Sequence, residues 1–233
     1  MNTDLLSGKV AGVPLLVSRS WVPALAATAV ACAVAVRTLV SGLSLVAAAT
    51  LGLVLALALT LSLIIHELAH ALVARSAGIE IDHIRLFAGG ALCRRKHVMG
   101  APREQFVVAA AGPLASTALG VAALSVAAGA GALGLGPAVT TALWFLAFVN
   151  ILIAVTNLLP IFPFDGGKLV HSLFWRAGRD HRAASDRLDR GGREFARLIM
   201  TLGVLLMAVG DELLVGFVVL LFGLYLLRLP SPP

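Results

Sequence analysis

The residues with the clearest chemical potential are two histidines and a glutamate in the run His66-Glu67-Leu68-Ala69-His70. On a helix, positions i and i+4 share one face, so both imidazoles can bind a single metal ion. Glu67 lies beside them, where its carboxylate can take a proton from water activated at the metal. The spacing therefore predicts a zinc site, with His66 and His70 as ligands and Glu67 as catalytic base.

The sequence around this motif places it within a membrane. It follows the uninterrupted apolar run from Leu51 to Ile65, and Arg75 is the first charged residue after it. Nine helical residues separate His66 from Arg75, which is about 13 Å along the helix axis. The metal site is therefore expected inside the hydrocarbon layer. Ionisable residues at that depth are costly and usually functional. The competing interpretation is a hydrogen-bonded polar cluster inside a helix bundle.

A second motif runs from Asn157 to Gly167 and contains two prolines and two glycines. These residues must break a helix near its end, and non-helical backbone at membrane depth survives only where it lines a protein or water cavity. Asp165 is the one carboxylate in the run. A catalytic zinc takes three protein ligands, which makes Asp165 the natural third one. Taken alone, Asp165 before two glycines would favour a helix-ending turn, but beside the histidine motif the ligand role is favoured.

The elements that must hold these residues are membrane helices. The 233 residues are 59% hydrophobic and 13% charged, with a mean hydropathy of +0.97. A soluble domain is about one quarter charged. We predict an all-α polytopic membrane protein, a single domain over residues 1–233, with a small β element between spans two and three. Its six transmembrane helices are predicted at about 21–36, 44–74, 106–132, 138–159, 195–209 and 213–227, after a cytoplasmic segment 1–20.

The distribution of lysine and arginine predicts the orientation. If the N-terminus is cytoplasmic, every basic residue except Arg37 falls on the cytoplasmic side, as the positive-inside rule requires. Asp211 and Glu212 then lie in an outer loop. Both termini are expected in the cytoplasm, most simply at the cell membrane, with the site towards the cytoplasmic face. The basic excess of +6 is explained by topology, so no nucleic-acid partner is expected.

The connections and remaining polar residues carry weaker signals. Residues 79–87 alternate between apolar and polar, which predicts a β-strand. The edge of this strand is either open to an extended substrate or paired within the protein in a hairpin. Residues 10–17 are either a strand or a tail, and 176–194 are expected to be a solvated loop. Gly112, Ser116 and Gly120 are expected to serve helix packing. Ordinary polar roles are expected for His83, His97, His171 and His181, and no disulfide is expected between Cys32 and Cys93.

The two motifs together resemble the site-2 protease family of intramembrane zinc metalloproteases. Pro102-Arg103-Glu104-Gln105-Phe106 and Ala111-Gly112-Pro113-Leu114-Ala115-Ser116 resemble that family's third span and its approach. The resemblance implies the subgroup with a minimal six-span core and no PDZ or CBS domain.

That resemblance also implies roles for particular residues. His66, His70 and Asp165 are implied as ligands of one zinc ion, Glu67 as the base, and Asn157 as a substrate or oxyanion contact. The implied substrates are transmembrane proteins or peptides, cut within or near the bilayer. The alternative kept open is a metal-binding membrane transporter without proteolytic activity, because broken helices with a central Asp also bind transported ions.

Overall fold

The computed structural model describes residues 4–96, 99–209 and 213–229, which form mainly helices. His97, Asp211 and Glu212 lie outside the described residues. The chain divides into two compact units, Met1–Met99 with Ala111–Val155, and Gly100–Ala110 with Thr156–Pro233. The elements in chain order are β1 (Asp4–Val10), β2 (Val13–Ser18), α1 (Trp21–Leu39), α2 (Leu45–Ser76), β3 (Ile81–Phe87), β4 (Gly90–Arg95), α3 (Pro102–Ala128), α4 (Pro137–Asn157), α5 (Asp165–Gly178), α6 (His181–Val209) and α7 (Leu213–Leu227).

Four of the described helices are long and apolar enough to cross a membrane, namely α1, α2, α3 and α4. They correspond to the first four predicted spans, with ends that differ by up to four residues. The six predicted spans are not all confirmed. The segment 195–209 is the second half of α6, and α7 has only 15 residues.

The solvated loop predicted for residues 176–194 is wrong. Most of that segment is the first half of α6, which begins at His181. Its buried residues are small or aliphatic and recur every four positions, at Ala184, Leu188, Gly192 and Ala196. This spacing places one stripe against the rest of the second unit, while the charged side chains occupy the other faces. The stripe explains why a sequence rich in arginine is nevertheless helical.

The predicted position of the β element is also wrong in part, because the sheet has four strands in the order β1-β2-β3-β4. The first two come from the N-terminal segment. They form an antiparallel hairpin whose turn, Ala11-Gly12, has two positive φ angles of 48° and 75°. Strand β2 runs parallel to β3, and β3 pairs antiparallel with β4. Strand β3 therefore has partners on both sides, and the two edge strands are β1 and β4.

The first unit packs this sheet onto the end of α2 that follows the histidine motif. Val13, Ala71 and Ile84 form a buried cluster, with Leu68 and Cys93 against it. Arg75 donates to the Ala11 carbonyl at 3.0 Å and fastens the hairpin turn to the same helix. At the other end of α2, Leu55 and Leu59 pack with residues of α1 and α4. The sheet is thereby fixed beside the helical turn that carries Glu67.

The second unit is built on α5, α6 and α7 and on the loop between α4 and α5. Its core contains Ile161, Ala196 and Leu226, all buried. The loop folds directly onto the first turn of α5, so a Cβ on Gly166 would lie 2.1 Å from the Leu158 carbonyl oxygen. Only glycine fits that approach, which gives the Asp-Gly-Gly motif a physical reason.

Candidate metal centre

The histidines of the first motif lie on one face of α2, and their Nε2 atoms converge. His66 and His70 are 3% and 7% exposed, and their Nε2 atoms are 3.3 Å apart. Two zinc–nitrogen bonds of about 2.0–2.1 Å at a tetrahedral angle place the nitrogens about 3.3 Å apart. The pair is thus already spaced as two ligands of one tetrahedral ion.

Helix α3 closes the space in front of the two histidines. At Gly112 a Cβ would lie 2.2 Å from Nε2 of His70 and 2.5 Å from Nε2 of His66. Any side chain at this position would overlap both imidazoles. Only glycine allows α3 to approach the two histidines so closely, which is a packing role of the kind predicted from sequence.

Ser116, one turn further along α3, orients the His66 ring. It is fully buried, and its Oγ lies 2.9 Å from Nδ1 of His66. With Nδ1–H donating to this hydroxyl, Nε2 keeps its lone pair for a metal. The packing role predicted for Ser116 missed this contact. The signal available in the sequence was the four-residue spacing of Gly112 and Ser116, which places both on the same helical face.

Glu67, between the two histidines in sequence, is hydrogen-bonded to the sheet. Its Oε2 accepts a hydrogen bond of 2.8 Å from the backbone N–H of Cys93 on β4. The proposed base is therefore tethered to edge strand β4, and its carboxylate has a defined direction. No side-chain motif reveals such a contact, because the donor belongs to the main chain.

In the second unit, Asp165 is the first residue of α5. It is 3% exposed, and its Oδ1 pairs with the Lys168 ammonium at 2.7 Å. A buried carboxylate needs such a partner, and the first turn of a helix favours negative charge. Asn157, the last residue of α4, is half-buried.

The remaining polar residues fall into two groups. His83 is paired with Asp82 at 3.2 Å on β3, and Cys32 and Cys93 are not joined by a disulfide. His171, by contrast, is only 1% exposed and lies in a ring cluster with His181. The ordinary polar role predicted for His171 does not account for that burial.

Comparison with known proteins assigns the chain to a family. The family model of Peptidase family M50 matches residues 54–133 and 132–202. Rip3 of Mycobacterium tuberculosis, whose name assigns it as a zinc metalloprotease, is 36% identical over 160 residues, or 69% of this chain and 40% of Rip3. The similarly named sll0528 of Synechocystis is 31% identical over 98% of this chain and 59% of its own length.

A solved structure agrees with the sequence matches. The site-2 protease from Methanocaldococcus jannaschii aligns with a TM-score of 0.56 and 19% identity, over 98% of this chain and 97% of that one. The likeness shows that the fold is shared. The chain belongs to Peptidase family M50. Its match spans 40% of the length of Rip3 and 59% of that of sll0528.

Proposed function

We propose that this protein is an intramembrane zinc metalloprotease, and that residues 1–233 act as a single catalytic domain. The observation that carries the proposal is the pair of buried histidines with convergent Nε2 atoms on a helix apolar enough to span a membrane. Membership of Peptidase family M50 supports the same activity. It favours a peptidase over the transporter alternative, which has no use for a carboxylate between two ligands.

The residues present fit zinc in type and spacing. Neutral imidazole nitrogen and carboxylate oxygen are common zinc ligands, and the Nε2 atoms of the two histidines are 3.3 Å apart. His66 and His70 hold the ion through Nε2, and Asp165 supplies the third ligand atom. All three side chains are buried, and charged groups that are buried in proteins are paired or coordinate metals. When bound, zinc would act as a Lewis acid that polarises the substrate carbonyl and makes a bound water molecule more acidic.

The chain's own residues then perform the proton transfers of peptide hydrolysis. Glu67 takes a proton from the attacking water and delivers it to the nitrogen of the cleaved bond. Cys93 N–H holds the carboxylate in place meanwhile. The Asn157 amide, at the end of α4, is proposed to contact the substrate or the oxyanion.

The proposed substrates are transmembrane proteins or peptides, and the proposed location is the cell membrane with both termini in the cytoplasm. The asymmetry of the basic residues supports that orientation. The second half of α6 and α7 are proposed as spans five and six. A helical substrate hides its carbonyls in hydrogen bonds, so segments containing Gly, Pro or Asn should be cut preferentially. A reporter that is active only outside the cell, fused after Arg228, should stay inactive, and activity there would refute the six-span topology.

The decisive experiment replaces the base without removing a ligand. Purified Glu67→Gln should bind about one zinc ion as wild type does, yet cleave a model transmembrane substrate at least about 100-fold more slowly. Glu80→Gln is the matched control, since Glu80 is an exposed carboxylate paired with Lys96. Equal cleavage by wild type and Glu67→Gln would refute Glu67 as base, and absence of cleavage by wild type would refute the protease.

The third ligand and the substrate contact are tested separately. Asp165→Asn should lower zinc content and activity together, because a neutral amide is a poor zinc ligand. Asn157→Ala should keep the zinc and lose rate. If Asp165→Asn retains metal and near-normal cleavage, Asp165 is a turn residue only.

A further inference from the structure

His171 is a buried ionisable residue that the proposed reaction does not use. It lies on α5, six residues after Asp165, and three helices meet at its ring. Its Nδ1 is 3.1 Å from Nε2 of Gln105 on α3. Its Nε2 is 3.1 Å from Oγ of Ser185 and 3.3 Å from the His181 carbonyl oxygen, both on α6.

The neighbours of Gln105 determine the tautomer of His171. Nε2 of Gln105 also lies 3.2 Å from the carbonyl oxygen of Lys168, which can only accept. The amide must therefore present its NH₂ group here, and that group donates one hydrogen to Lys168 and the other to Nδ1 of His171. The proton of neutral His171 is then on Nε2, where it donates to Ser185 or to the His181 carbonyl. Every hydrogen bond of the ring is satisfied only in this form.

The surroundings also keep the ring neutral. Burial, and then the neighbouring His181 ring 4.6 Å away, lower the pKa of His171 from its usual value. The groups that face it are Gln105 from α3, the Lys168 carbonyl from its own helix, and His181 and Ser185 from α6. No carboxylate is among these hydrogen-bond partners, so neutral His171 is the form that the structure selects.

We propose that Gln105 and His171 are positioning residues that hold α5 so that Asp165 is presented in one fixed direction. The proposal rests on the proposed function, in which Asp165 is a zinc ligand. Lys168 links the two features, because its carbonyl is bound by Gln105 while its ammonium holds Oδ1 of Asp165 at 2.7 Å. One partly buried network thereby runs from α6 through His171, Gln105 and Lys168 to Asp165.

The geometry makes the position of Asp165 sensitive to this network. Six residues of helix separate Asp165 from His171, which is about 9 Å along the axis. A tilt of α5 by about 3° around His171 would move Asp165 by about 0.5 Å. Functional sites must hold their groups within about 0.5 Å of the productive geometry, so even this small tilt reaches the limit. Mutation of a residue that hydrogen-bonds to or orients a metal ligand typically changes metal affinity or activity by about 10–100-fold.

The test measures zinc affinity by chelator competition in purified full-length protein, well below the melting temperature. Gln105→Met keeps the length of the side chain and removes its amide, and should weaken zinc binding about 10-fold or more. It should also speed amide hydrogen exchange across residues 165–178 in the zinc-free protein. Val107→Met, an exposed position on the same helix, is the matched control and should match wild type.

A second variant and two further outcomes keep the proposal decidable. His171→Phe retains an aromatic ring without its nitrogens, and should weaken zinc binding similarly even if Gln105→Met does not fold. If both variants melt at lower temperature but bind zinc as wild type does, the network is merely structural and the proposal is overturned. If wild type itself binds no zinc, the proposed function has failed, and the positioning role fails with it.

Discussion

Replacing Gly112 with alanine tests the metal centre most directly. The added methyl carbon would lie 2.2 Å from Nε2 of His70 and 2.5 Å from Nε2 of His66. Non-bonded heavy atoms prefer about 3.5 Å or more, so each contact is too short by about 1 Å. Gly112→Ala should therefore displace the rings and abolish the spacing of the two nitrogens that zinc requires.

The size of the effect follows from the tolerance of zinc sites, whose ligand distances vary by only about 0.2 Å. A displacement of about 1 Å exceeds that tolerance several-fold, so zinc affinity should fall at least about 100-fold. Overpacking costs typically about 1–3 kcal/mol, so the variant should still fold. The assay is zinc content after dialysis, followed by chelator competition and thermal unfolding.

The matched control for this variant is Gly120→Ala. Gly120 lies on the same helix two turns later, and a Cβ there would meet Ile151 at 2.8 Å but neither histidine. Its packing cost should be comparable, with zinc affinity unchanged. Zinc binding at wild-type affinity in Gly112→Ala would show that the observed positions of the two histidine rings are not required for zinc binding.

Three further predictions follow from contacts around the two sites. Ser116→Ala should weaken zinc binding about 10-fold by freeing His66, measured by chelator competition; an unchanged affinity would make the serine a packing residue. Cys93→Pro removes the N–H that holds Glu67 and should lower kcat about 10-fold with zinc content unchanged, whereas Cys93→Ala keeps the N–H and should match wild type; equal kcat in both variants would contradict the tether. Because the pKa of His171 is lowered, its neutral ring stabilises the fold above about pH 6.5, and this contribution is lost as the pH falls through the lowered pKa. His171→Phe should therefore flatten the fall in melting temperature between about pH 7 and pH 5, and an unchanged slope would contradict the assignment.

The first four helices and the histidine pair could be predicted from sequence because their signals are local. An apolar run specifies a membrane helix by its length, and His66 and His70 share a helix face at any depth. The Asp-Gly-Gly motif was likewise visible as a helix break. Its glycines, however, are explained only by the approach of the Leu158 carbonyl.

The missed features depend on tertiary contacts or on the main chain. The charged face of α6 concealed a narrow stripe of small buried residues, so the helix was predicted as a loop. The Ala11-Gly12 turn places an alanine at positive φ, which sequence patterns do not favour. The strand pairing β2–β3 joins segments more than 60 residues apart, and no local periodicity specifies such a partner.

The tether between Glu67 and β4 has a genetic consequence. The donor at position 93 is a backbone amide, which nineteen of the twenty standard amino acids supply equally. An alanine scan would therefore show little effect at this position, because the substitution keeps the backbone N–H. The residue type at position 93 can change during evolution while the contact persists. Changes that move the strand itself, such as an insertion or deletion in the Ala88-Gly89 turn, would shift the amide instead. Selection on this part of the molecule should consequently act on loop length more strongly than on residue identity.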